Sequence, residues 1–151
     1  MEYQVGQPGR MIYCRIDHGE DLLARLEEVC VRETIRCGWI QLFGGLRRTD
    51  LVIGPEEPTM PPDPVWSRLE DCREALGIGS VFWDGTTPKI HLHGALGHHG
   101  HTVTGCIRKL AEIYLLIEVV ICEVTGIDVT RPWYEAGQFA RPEFGRGGAV
   151  S

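Results

Sequence analysis

The residues best suited to chemistry fall in one short stretch. Five of the six histidines lie between His91 and His101, as His91-Leu92-His93, His98-His99 and His101. Two positions apart on a helix means about 200° around the axis, so the rings of His91 and His93 would diverge; on a strand they share a face about 6.6 Å apart. Lys89 to Leu96 reads as a strand, which lets both imidazoles reach one ion. A tetrahedral zinc site then needs a third protein ligand and, if it is to do chemistry, an open fourth position.

The third ligand depends on how the chain returns. Gly97-His98-His99-Gly100 reads as a tight connection, after which His101 to Cys106 runs back antiparallel. If Gly97 faces Gly100, Cys106 lies opposite His91; if the loop is two residues longer, Cys106 lies opposite His93. Both registers put the thiol on the imidazole face and His101 on the other. An odd-length loop exchanges them, because a slip of one residue turns every side chain over. The expected ligands are therefore His91, His93 and Cys106, with His101 as competitor, and the expected cofactor is zinc or another divalent transition metal. His98 and His99 are expected to be solvated turn residues.

Other elements must hold this hairpin. Arg10 to Ile16 alternates with period two, as a half-buried strand does. Asp21 can cap a helix over Glu20 to Thr34, in which Leu22, Leu23, Leu26, Val29 and Cys30 recur at helical spacing. Trp39 to Phe43 and Thr49 to Ile53 read as two strands joined through a turn at Gly44-Gly45-Leu46, followed by a proline-rich loop from Pro55 to Pro64. Glu112 to Thr125 reads as a strand buried on both faces. Within it, Glu118 is either satisfied by a structural partner or supports a ligand histidine as a general base, which makes it the candidate catalytic residue. Arg47 and Arg48 are expected to be solvated.

Composition bounds the rest. A chain of 151 residues with 43% hydrophobic content suits one self-sufficient core. Fifteen Lys and Arg against 21 Asp and Glu leave a net charge of −6, which argues against direct contact with nucleic acid or anionic lipid. The most apolar run, Ile113 to Val124, is short and broken by Glu118 and Glu123, so no membrane span is expected. The first ten residues hold no apolar signal segment, which points to the cytoplasm and to six cysteines kept as thiols.

Several pieces together resemble the plants-and-prokaryotes conserved domain, abbreviated PPC or PCC. They are Gly19-Glu20-Asp21-Leu22-Leu23, Gly44-Gly45-Leu46, His91-Leu92-His93-Gly94-Ala95-Leu96, Gly105-Cys106 and Leu116-Ile117-Glu118-Val119-Val120-Ile121, and the likeness runs from Gly9 to about Ile127. The resemblance implies an α+β fold: a twisted, largely antiparallel sheet with one main helix, an architecture shared with the zinc enzyme acetolactate decarboxylase. It further implies a homotrimer and a metal, generally zinc, on the His-x-His pair and a third histidine in a Gly-His step, which here reads Gly105-Cys106. A lyase or hydrolase activity follows by analogy only. A stretch resembling the plant partner-binding motif, Arg73-Glu74-Ala75-Leu76-Gly77-Ile78, suggests that the otherwise ambiguous Trp66 to Leu76 becomes a strand near Arg73. Prokaryotic members often carry a DNA-binding label, but the Arg-Gly-Arg-Pro hook of plant members is missing from Gly145-Arg146-Gly147-Gly148. The expected organisation is a tail over 1–8, one domain over 9–140 and a flexible tail over 141–151. The expected function is a trimeric metal-binding protein whose metal meets a small ligand, with a DNA-associated regulatory role as the alternative.

Overall fold

A computed structural model describes residues 1–145. In chain order the elements are β1 (Gln7–Asp17), α1 (Leu22–Arg32), β2 (Cys37–Pro55), β3 (Pro64–Leu69), β4 (Arg73–Trp83), β5 (Pro88–His98) and β6 (His101–Thr125). Four two-residue strands follow: β7 (Val129–Thr130), β8 (Trp133–Tyr134), β9 (Phe139–Ala140) and β10 (Glu143–Phe144). All strand pairings among the described residues are antiparallel. Strand dominates and the single helix is 11 residues long, so the fold is mainly β, with a smaller helical share than an α+β expectation implies.

The helix is shorter than its apolar spacing suggested, because its two ends are capped inside that range. Asp21 is extended (ψ 124°) and its carboxylate accepts from the Ala24 amide at 2.9 Å, which opens the helix at Leu22. At the other end the Glu33 and Thr34 amides bond back to Val29 and Val31, and Thr34 takes a positive φ of 55°. Leu22, Leu26 and Cys30, four residues apart, are fully buried.

β2 and β6 are long, continuous strands, and this corrects the reading of Gly44-Gly45 as a turn. The two glycines let β2 cross β6 at close range: a Cβ at Gly44 would strike the Leu116 carbonyl, and one at Gly45 the Tyr114 carbonyl. At that point the pairing jumps from Gly44↔Ile117 to Gly45↔Tyr114, leaving Leu115 (φ 63°) and Leu116 as a bulge. A second irregularity falls at Arg48 (φ 47°) and Lys109 (φ 51°). Such bulges bend and twist long strands. The bent pair lets β6 meet β5 near its start and β1 near its end on one edge, with β2 along the other; β2 also pairs with β4, and β4 with β5. β2, β4, β5 and β6 therefore close into a ring.

The inner face of that ring, with α1, holds the core, including Ile40, Leu46, Leu92, Leu96, Ile113 and Ile121. The outer face stays open in the single chain. Register lines up Tyr13, Val120, Gln41, Ile78, His93 and Cys106 in one row across the strands, with exposed Tyr13 and Ile78 among them. The C-terminal half of β6 is thus buried on one face rather than both. The ambiguous stretch after Trp66 resolves into β3 and β4, with the strand resuming at Arg73 as expected. No helix among the described residues is long and apolar enough to cross a membrane. The expected C-terminal tail lies outside the described residues from 146 onward; before it, Glu143 and Phe144 pair with Thr130 and Val129.

Candidate metal centre

The β5–β6 hairpin turns through His99 (φ 46°) and Gly100 (φ 82°), a two-residue turn of the kind that needs positive φ at both positions. His98 consequently pairs with His101, and the register carries forward to His93↔Cys106. Of the two registers that keep Cys106 with the imidazoles, the chain adopts the one that sets it against His93, but it does so with a two-residue turn moved one position along, at His99-Gly100, and not with the longer loop expected for that register. His101 projects from the opposite face at the hairpin tip and does not join them.

Alternation along β5 puts His91 and His93 on the outer face. Their Nε2 atoms are 3.1 Å apart, with ring centroids separated by 4.9 Å. Donor atoms of His91, His93 and Cys106 all lie within 4.8 Å of one another, so the structure brings the three expected ligands together. Without an ion, the two facing nitrogens need one ring to donate to the other. With one, both lone pairs are used: bonds of about 2.0–2.1 Å on a tetrahedral ion put two nitrogens about 3.3 Å apart. The donor set therefore fits a divalent transition metal.

The surroundings of His91 favour its unprotonated form. His91 keeps contact with solvent, yet the atoms packed around it push its pKa down to about 4, chiefly by burial and then through Arg131, His93 and Arg108. Burial raises the Cys106 thiol, against the opposing pull of Arg108, so the thiolate needs a partner such as a metal to persist.

Arg108 and Arg131 were missed as functional candidates. Arg108 follows Cys106 by two residues, so strand alternation alone could have placed both on one face. Arg131 had no such signal, since it lies past the Gly126 turn in a segment without periodicity. It is 3% exposed; its guanidinium donates to the carbonyls of Ser80 (3.2 Å) and Lys89 (3.0 Å) and to Ser80 Oγ (2.8 Å), and covers the Phe82 ring. Ser80 is the register partner of His91, so Arg131 sits behind the imidazoles. Its Nε is buried without a partner, and burial followed by Arg108 lowers its pKa to about 10.

In front of the donors is a cavity of about 670 Å³, reached by His93, Cys106 and Arg108 and walled by Trp66, Trp133 and Phe139. Glu118 is not part of this cluster. It pairs in register with Arg15 and Phe43, far along β6 from Cys106, and does not line the cavity. Three other residues differ from expectation because their partners are remote in sequence. His98 is hydrogen-bonded to the Cys72 carbonyl at 2.8 Å, and Arg47 and Arg48 both pair with the buried Glu112.

Comparison with known proteins agrees with this architecture. A metal-containing protein of Archaeoglobus fulgidus superimposes with a TM-score of 0.81 at 22% identity, covering 93% of this chain and 98% of that one. A plant- and prokaryote-conserved protein of Pyrococcus horikoshii gives 0.81 at 23% identity, over 96% and 99%. A Ralstonia eutropha JMP134 protein described as a "Putative DNA-binding protein" gives 0.69 at 18% identity, over 88% and 90%. At such identities the likeness speaks for the fold. No curated protein matches the chain. The Plants and Prokaryotes Conserved (PCC) domain model matches residues 3–125, which include the whole β5–β6 hairpin, and the chain belongs to that family.

Proposed function

We propose that this protein holds a divalent transition metal, with zinc the best match to two imidazoles and a thiolate, on His91, His93 and Cys106, and presents an open position to a small ligand in the adjoining cavity. The observation that carries this reading is the convergence of three donor atoms within 4.8 Å on one sheet face beside a cavity of about 670 Å³. A metal bound there would supply Lewis acidity toward a ligand carbonyl or water. The chain's own part is to orient two imidazole rings and a thiol and to wall the ligand with apolar side chains.

Self-association as a homotrimer completes the proposal. Tyr13, Phe43, Leu76 and Ile78 are exposed on the outer face, an apolar surface of the kind that marks an interface in a water-soluble chain.

The test is thermal. A ligand that binds only the native state raises its stability, by about 2.7 kcal/mol when present at a hundredfold excess over Kd. Chelation should lower the Tm of the parent and leave the Tm of His91→Ala unchanged. Equal responses of the two proteins would refute the reading.

A further inference from the structure

The metal donors sit in a pocket of positive charge within a negatively charged chain. Arg108 lines the cavity and Arg131 is buried behind the two imidazoles. Among the described residues, neither forms an ion pair. The cavity lining contains no carboxylate at all. Most other arginines among the described residues behave differently: Arg10, Arg47, Arg48, Arg68 and Arg73 each face an acid, while Arg36 lies over the Trp83 ring. A guanidinium removed from water without a counter-charge is costly, and Arg131 is held by neutral carbonyls and a hydroxyl only, with Nε unsatisfied.

The charge count sharpens this, and it rests on the metal reading above. A divalent ion, one thiolate and two guanidinium groups sum to +3 around an opening with no acidic side chain. The missing negative charge has to arrive with the ligand. The walls opposite, Trp66, Trp133 and Phe139, are aromatic, so the remainder of that ligand is apolar.

We propose that the ligand is a small organic carboxylate, its anionic end read by Arg108 in the field of the buried Arg131 and its apolar body held between the aromatic walls. Arg108 makes the contact; Arg131 acts through charge, from behind His91. A carboxylate fits better than a phosphate ester, because the opening offers one accessible guanidinium fork and no helix N-terminus among its lining residues.

The experiment uses the full chain, with and without zinc, and follows the fluorescence of the cavity tryptophans during titration with phenylacetate, its neutral analogue phenylacetamide, and inorganic phosphate. We expect phenylacetate to bind about tenfold or more tightly than the amide. In Arg108→Gln, at an exposed position, that preference should vanish, in the zinc-free chain as in the zinc-loaded one. Arg131→Lys should keep the preference and Arg131→Met weaken it; should the latter fail to fold, Arg108→Gln decides. Equal affinity for acid and amide, an unchanged preference in Arg108→Gln, or phosphate displacing phenylacetate at equal concentration would each overturn the proposal. A parent without metal would refute the metal reading alone, because the same acid-against-amide comparison on the metal-free chain still decides whether the arginines read a carboxylate.

Discussion

His93 on β5 lies directly opposite Cys106 on β6, so one register pair brings an imidazole and a thiol to the same point of the outer sheet face. Everything proposed for the site depends on that pairing. It is fixed by a two-residue turn at one end and by β4 and β2 on the far edges of the hairpin.

Strand spacing around the site should be sensitive to a single methyl group. A Cβ at Gly79 would come within 2.5 Å of the His91 carbonyl and 3.1 Å of the Leu92 Cα, both backbone atoms. Gly79→Ala should therefore cost about 1–3 kcal/mol in a urea titration and weaken metal binding by displacing His91. Gly97→Ala, whose new methyl would meet only ordinary contacts of 3.7 and 3.9 Å, is the control. Equal effects of the two changes would contradict the account.

That sensitivity separates what could be read from the sequence from what could not. The ligand set was legible because alternation along a strand has a period of two, and both even-length turns put Cys106 beside the histidines. Which turn forms is set by positive φ at His99 and Gly100, which composition does not reveal. The continuity of β2 was hidden because Gly44-Gly45 looks like a turn, while its physical task is close passage past the carbonyls of Leu116 and Tyr114. Arg47 and Arg48 looked solvated because their partner, Glu112, is more than sixty residues away, and Arg131 reaches the site through a segment with no pattern to follow.

Acid should unfold the protein through its arginine-paired carboxylates. Asp50, held first by its hydrogen bond to Arg68, Glu112 by Arg47 and Glu123 by Arg10 all titrate below their ordinary values of 3.8, 4.5 and 4.5. For a lowered folded-state pKa the stabilisation is present above the unfolded value and disappears as pH falls through the folded one. Tm should drop steeply below about pH 4.5, and less steeply in Glu112→Gln. A flat profile down to pH 3 would be inconsistent with these pairs.

Assembly should depend on the outer face. Tyr13, 62% exposed in the single chain and four strands away from His93 in its row, can be changed without touching the donors. Tyr13→Asp should shift the sedimentation mass from three chains to one while leaving the far-ultraviolet spectrum intact. A parent that already sediments as a single chain would remove the trimer.

Direct DNA binding should be absent. With a net charge of −6, the chain is expected to show no affinity for duplex DNA even at low salt, where counterion release favours association most. A mobility shift that weakens steeply as salt rises would point to a phosphate-contacting surface and contradict this expectation.

Metal content is the most direct test of the central claim. Protein produced without a histidine tag and analysed for elements should carry about one equivalent of a divalent transition metal per chain, and His93→Ala and Cys106→Ser should lose most of it while remaining folded. Less than ~0.2 equivalents in the parent after growth with added zinc, or full occupancy in both variants, would contradict a metal centre at His91, His93 and Cys106.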